Sequence, residues 1–233
     1  MIRVLGSGSS GNAVLVGHDK PVLLDAGIPL KRLRSLLREN GVTRLTQLAF
    51  ALVTHEHQDH ACAVEGLLDA TVDVAASRGT LEALGVAGHH RAEVVPPLRE
   101  VSKGPWRFIG LPLKHDAREP MGFYLGRNGG LRVLYVTDTG SFEPPSWVGR
   151  PTHVLIEANH RAVELEQRGE GDDDLYRVST NHLSIEGAME ALAALDLSEC
   201  LEVHLLHISD RHGDEKEFKA AVEAEFGVPV YAP

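Results

Sequence analysis

Thr54-His55-Glu56-His57-Gln58-Asp59-His60 is the stretch on which the reading of this chain turns. Three imidazoles and the Asp59 carboxylate fall within six residues. Upstream, Leu48-Ala49-Phe50-Ala51-Leu52-Val53 is an apolar run of strand length; downstream, Ala61 to Leu68 has the pattern of a short helix. The cluster therefore occupies a turn between a buried strand and a helix, where side chains are free to converge on one point. His, Asp and Glu placed in this way are ligands for a hard or borderline divalent cation. A polar loop with three unrelated histidines is the plainer alternative. The spacing H-x-H-x-D-H directly after an apolar strand argues against it.

The 233 residues suit one large domain or two small ones, with enough chain to bury a substantial core. Hydrophobic residues at 43% and charged residues at 24% are ordinary for a globular protein. No apolar run approaches the ~20 residues that span a bilayer. Met1 to Gly6 enters a strand at once, without the apolar region of a signal peptide, which gives the expectation of a cytoplasmic protein with no membrane partner. The only cysteines, Cys62 and Cys200, form no C-x-x-C pair, so a disulfide framework and a thiolate zinc site are both disfavoured. Cys62 is expected to pack within a helix. The net charge of -10 argues against general attraction to nucleic acid, although bound dications would offset it where a phosphate approaches.

Along the chain, strands are expected at Ile2–Leu5, Ala13–Val16 and Pro21–Gly27, with a Gly/Ser loop, Gly6 to Asn12, between the first two. That loop is either a tight turn or a place where backbone N–H groups with Ser9, Ser10 and Asn12 approach an anion. A helix follows over about Pro29 to Glu39, its apolar positions Leu30, Leu33, Leu36 and Leu37 at helical spacing. Further strands are expected near Val72–Val74 and Val94–Val95, with a helix over Arg78 to Leu84. Trp106–Leu113 leads to His115, a hairpin spans Gly122–Val136, and strands at Thr152–Glu157 and Leu201–Leu206 follow. Helices are expected near Leu175–Ser179, over Ser184–Leu195 and over Asp214–Phe226, with an edge strand at Val228–Val230. Asp25, His55, His57, Asp59, His60, His115, Asp138, Glu157 and His207 all stand at or just past strand ends. Asp25 reads as a turn residue or as a carboxylate that orients a metal-bound histidine. His153 and His204 read as core or surface, and His18, His89 and His90 as solvent-facing. One α/β (α+β) domain spanning 1–233 is the expectation.

Leu24-Asp25-Ala26-Gly27, the Thr54–His60 stretch, His115, Thr137-Asp138-Thr139-Gly140 and His207 together resemble the metallo-β-lactamase-fold hydrolases. Gly6 to Asn12, His115 to Pro120, Glu157-Ala158-Asn159-His160, Asn181 to Ser184 and Leu206 to Ser209 narrow the resemblance to the bacterial YycJ/WalJ-type branch. It covers nearly the whole chain and implies a four-layer αβ/βα sandwich with two divalent metal ions, zinc or manganese. By motif position, His55, His57 and His115 would hold one metal, Asp59, His60 and His207 the other, and Asp138 both. The related ribonuclease J and β-CASP nucleases carry an acidic residue, a His and a final His in the order of Glu157, His182 and His207. The 69 residues from Asp138 to His207 leave no room for a β-CASP insertion. Arg161, Asn181 and the run Asp210 to Gly213 also depart from the branch pattern, which bears on substrate choice.

The resemblance implies phosphodiester hydrolysis, by a DNA exonuclease, through a metal-bridged hydroxide. Asp59 and Asp138 would serve the attacking water, and His182 the scissile phosphate or leaving oxygen. Ser9, Ser10, Asn12, Asn159, His160 and His182 are candidates for substrate binding, with Asp25 and Glu157 behind the ligands. For His160 and His182 the plainer alternative is capping or core hydrogen bonding. Two further classes stay open: hydrolysis of a small thioester, lactone or cyclic nucleotide on the same centre, and a metal-binding regulatory module without catalysis.

Overall fold

The computed structural model describes residues 1–162 and 178–232. The chain divides into two units, Met1–Arg99 with Ala117–Met121, and Glu100–Asp116 with Gly122–Pro233. Each carries its own sheet and its own apolar core.

In the first unit the sheet runs β1 (Ile2–Gly6), β2 (Ala13–Val16), β3 (Val22–Leu24), β4 (Phe50–Leu52), β5 (Val74–Ala76) and β6 (Ala92–Val94) in spatial order. Strands β1 to β3 are antiparallel; β3 to β6 are parallel. The buried strands β2, β3 and β4 are continuous apolar runs, as strands covered on both faces require. Helix α1 (Leu30–Glu39) buries Leu33 and Leu37 and leaves its charged residues outside. The helix expected downstream of the histidine cluster is two pieces, α2 (Gln58–Ala61) and α3 (Val64–Asp69). Helix α2 begins inside the motif, so Asp59 and His60 are helical rather than in the turn. Cys62 lies at the break between them and is exposed, which corrects the expectation of helix packing. Helix α4 (Arg78–Ala83) starts at Ser77, whose side chain accepts from Thr80 N–H.

The second sheet runs β13, β12, β11, β10, β9, β8, β7. Its members are β7 (Glu100–Lys103), β8 (Trp106–Pro112), β9 (Met121–Arg127), β10 (Leu131–Val136), β11 (His153–Glu157), β12 (Glu202–Leu206) and β13 (Val230–Tyr231). Strands β10 to β13 are parallel, and β9 turns back on β10 through residues 128–130. Helices α5 (Ile185–Ala193) and α6 (Glu215–Phe226) are set by their caps. Ser184 accepts from Gly187 N–H, and Asp214 from Lys216 and Glu217 N–H. Helix α6 ends at Gly227 with φ 65°, the left-handed turn that favours glycine. Of the helix expected near Leu175–Ser179, residues 175–177 lie outside the described residues, and 178–181 are helical.

Parallel strands end at one edge of a sheet, and this is what gathers the chemistry within each unit. Asp25 follows β3 and Thr54–His60 follow β4; Asp138 follows β10, Glu157 closes β11 and His207 follows β12. Among the described residues, Asp25, Asp138 and His207 are three of the six non-glycine residues with positive φ, at 57°, 50° and 51°. Such backbone turns are uncommon outside glycine and cluster at functional sites.

Candidate metal centre

In the first unit the centre is built around Asp25, which has no exposure to solvent. Its Oδ1 accepts from Thr54 N–H at 2.8 Å, and the Thr54 hydroxyl lies 3.0 and 3.1 Å from its two oxygens. Its Oδ2 accepts from His60 Nδ1 at 2.8 Å. The carboxylate only accepts, so the His60 proton is on Nδ1 and Nε2 carries the lone pair. A carboxylate fixing the tautomer of an imidazole is the support that metal-ligating histidines use. Thr54 Oγ1 also meets His55 Nδ1 at 3.0 Å, which makes this threonine the hub between two histidines. His55 Nε2 and His57 Nδ1 face each other at 3.1 Å, a separation that calls for a shared proton or a shared cation. Asp59 Oδ2 lies 3.7 Å from His60 Nε2.

Asn12 is buried and braces this arrangement rather than facing solvent. Its side-chain oxygen accepts from Gly8 N–H at 2.8 Å, and its amide nitrogen reaches Gly8 O, Asp59 O and His60 Nε2 at 3.0, 3.2 and 2.9 Å. Ser9 and Ser10 are exposed on the loop so held. Gly27 has no space for a side chain: a Cβ there would lie 1.6 Å from Asp59 O. The segment 117–121 adds two contacts, Arg118 N–H to Glu56 Oε1 at 2.7 Å and Gly79 N–H to Glu119 Oε2 at 2.6 Å.

In the second unit the anchor is Glu157, also fully buried. Its Oε2 accepts from Thr139 and Leu183 N–H at 3.1 and 2.9 Å, tying the Asp138 turn to the His182 segment. Its Oε1 accepts from His182 Nδ1 at 2.7 Å and from His207 Nδ1 at 3.2 Å. Asp138 Oδ1 stands 3.1 Å and 3.5 Å from the same two nitrogens. Burial would lower the His182 pKa, but its hydrogen bonds to Asp138 and Glu157 and their charges raise it to about 9. Burial and the Asp138 charge push the Glu157 carboxyl upwards; the hydrogen bonds from His182 and His207 outweigh them and leave it below its ordinary value. His115 Nδ1 donates to Asn181 O at 3.1 Å, which leaves Nε2 on the other side of the ring. Burial lowers its pKa, favouring the neutral ligand form.

Asn159 is a positioning residue for His207, its amide donating to His207 O at 2.8 Å. His160 is buried beside Ser184, its pKa lowered by burial, and its Nδ1 has no partner among the described residues. Gly140 packs against Thr180, whose oxygen a Cβ would meet at 1.9 Å. The hub role of Thr54 and the internal bracing by Asn12 and Asn159 were not read from the sequence. Thr54 had a signal, standing directly before the first histidine; the two asparagines were read as substrate-binding candidates, and their bracing contacts, over 47 and 48 residues of separation, have no signature in the sequence.

The donor chemistry fits a divalent cation. Imidazole nitrogens and carboxylate oxygens make up the set, without thiolates, as zinc or manganese accepts. One ligand atom from each of Asp138, Glu157, His182 and His207 falls within 4.8 Å of the others. A family model described as a β-lactamase superfamily domain matches residues 20–205. Exodeoxyribonuclease YycJ of Bacillus anthracis is 30% identical over 222 residues, 88% of this chain and 81% of that protein. Exodeoxyribonuclease WalJ of Streptococcus pneumoniae serotype 2 is 31% identical over 220 residues, 88% of this chain and 80% of that protein. The metallo-β-lactamase fold protein YhfI from Bacillus subtilis superposes with a TM-score of 0.74 at 18% identity, covering 100% of this chain and 95% of its own. This chain belongs to the β-lactamase superfamily, in its metallo-β-lactamase-fold, YycJ/WalJ-like branch.

Proposed function

We propose that residues 1–233 act as a single domain that hydrolyses phosphodiester bonds in DNA, releasing nucleotides from an end, in the cytoplasm. The observation that carries the substrate class is the match, over most of the chain, to two relatives named exodeoxyribonuclease. Two divalent ions, zinc or manganese, would be held by His55, His57, His115, Asp59, His60, His207 and Asp138. When bound they supply Lewis acidity toward the phosphoryl oxygens and lower the pKa of water.

The chain's own residues divide the remaining work. Asp25 and Glu157 hold imidazoles in one tautomer, so that coordinating nitrogens face the same way in every molecule. Asp59, at the start of α2, is the acceptor for a proton from the attacking water. His182 holds its proton at Nδ1 between Glu157 and Asp138 and keeps a fifth of its side chain exposed, which supports contact with the phosphate or leaving oxygen. Ser9, Ser10 and His160 remain candidates for the substrate strand. Among the described residues no helix is long and apolar enough to cross a membrane.

End-labelled DNA incubated with metal-stripped protein, then with added Mn²⁺ or Zn²⁺, tests the reading. Metal-dependent release of nucleotides is expected. Release from thioesters, lactones or cyclic nucleotides in place of DNA would transfer the centre to the small-substrate class.

A further inference from the structure

The acidic balance of the chain conceals one strongly basic surface in the first unit. Between residues 31 and 44 stand Lys31, Arg32, Arg34, Arg38 and Arg44 against the single carboxylate of Glu39. All five cations are exposed, and among the described residues none has an ion-pair partner. Several arginines elsewhere are neutralised: Arg132 and Arg150 by Glu199 and Asp196, Arg91 by Asp73, Arg161 by Glu186 and Glu217. Leaving a run of cations unpaired in a protein of net charge -10 is a feature to be explained.

The arrangement is linear. Lys31, Arg34 and Arg38 follow i, i+3, i+7 spacing and so share one face of α1, beside the face that buries Leu33 and Leu37. At the C-terminal end a groove of about 310 Å³ is lined by Arg34, Arg38, Arg44, Thr43 and Thr46 over an apolar floor. Helix α1 begins three residues after Gly27, the residue that packs on Asp59, so Lys31 stands four residues along the chain from a contact with a candidate metal ligand of this unit. At 1.5 Å per residue the helix carries the row over about 15 Å. One phosphate needs one or two of these groups. Three along the helix, with Arg44 beyond its C-terminal end, match successive phosphates of a strand.

We infer that this face of α1, with the loop to Arg44, is a track for the sugar-phosphate backbone of the nucleic acid, holding the strand outside the site where it is cut. The inference rests on the nucleic-acid reading above. It also answers the objection raised by the net charge, because steering of a polyanion depends on local potential rather than on the sum over the chain.

The test is binding of a labelled single strand of about 20 nucleotides to the full chain in EDTA, over about 50 to 300 mM salt, for wild type and Arg34→Gln/Arg38→Gln/Arg44→Gln. Losing three phosphate contacts should make the log–log salt slope shallower by about 2 and weaken binding at low salt at least about tenfold. The corresponding triple Arg→Lys variant should keep the wild-type slope. With metal restored, both Gln variant and wild type should hydrolyse bis(p-nitrophenyl) phosphate equally. Unchanged DNA affinity and slope in the Gln variant would overturn the track, as would equal loss of DNA binding and small-diester hydrolysis. Arginine-dependent binding to phosphatidylglycerol vesicles with no change on DNA would overturn it in favour of a membrane surface. Arginine-dependent DNA binding without nucleotide release would support the track while refuting the hydrolytic reading.

Discussion

His60 Nδ1 stands 2.8 Å from Asp25 Oδ2, and neither side chain has any exposure. The pair links the ends of β3 and β4 across 35 residues of chain, and it sets which nitrogen of His60 can coordinate. Removing the carboxylate strands three buried donors: Thr54 N–H, the Thr54 hydroxyl and His60 Nδ1. Asp25→Ala should therefore cost about 1–3 kcal/mol of stability and lower metal affinity by roughly 10–100-fold. Denaturant titration and metal analysis after dialysis check both. A variant with wild-type stability and metal content would show the pair to be incidental.

Glu157 plays the corresponding part in the second unit, with four donors on one carboxylate. Glu157→Gln retains the shape but loses the charge and puts an N–H₂ donor in place of one of the two acceptor oxygens. Because the Asp138 and His182 segments both hang from it, turnover should fall more than about 100-fold with stability reduced by about 1–3 kcal/mol. Retention of full activity would exclude Glu157 from the positioning role.

Gly27 tests the packing that brings β3 to α2. A methyl group there collides with backbone, which cannot swing aside as a side chain can. Gly27→Ala should lower the urea midpoint by an amount equivalent to about 1–3 kcal/mol or more, whereas Gly88→Ala, with open space around it, should leave the midpoint almost unchanged. Equal midpoints for the two variants would contradict the close approach of Gly27 to Asp59.

Stability should also fall in acid through histidines remote from the ligands. Burial lowers the pKa of His153 and of His204; the nearby Glu202, 3.0 Å from His204 Nε2, only partly offsets this. The unfolded chain therefore takes up protons near the ordinary value of about 6.5 while the folded chain resists until lower pH. The sign is a stability complete above about 6.5 and lost as pH falls through the lowered folded values, with a slope of at most about 1.4 kcal/mol per pH unit for each histidine. Denaturant midpoints at about pH 7.5 and about 5.5 should converge in His153→Gln/His204→Gln relative to wild type. An unaltered pH slope in that variant would contradict the assignment.

Much of the site was legible because it follows strand ends, and strands here are apolar runs. Leu23-Leu24-Asp25 and Ala51-Leu52-Val53-Thr54-His55 announce where a buried strand stops and chemistry starts. The strand β7 was missed, since Glu-Val-Ser-Lys at a sheet edge has little apolar signal to offer. The start of α2 within the motif was missed because four residues are too few to display a helical period. Positive φ at Asp25, Asp138 and His207 leaves no trace in composition, for only glycine advertises that conformation. The basic residues of α1 were visible as letters, but their lack of acidic partners is a property of the folded surface.

The most direct measurement of the central claim is nucleotide release from end-labelled DNA by metal-stripped wild type and Asp138→Ala, each titrated with Mn²⁺ and Zn²⁺ alongside metal stoichiometry. About two ions per wild-type chain are expected, with release that depends on them and at least about a hundredfold loss in Asp138→Ala. No release by the reloaded wild type, or equal release by Asp138→Ala, would contradict that claim.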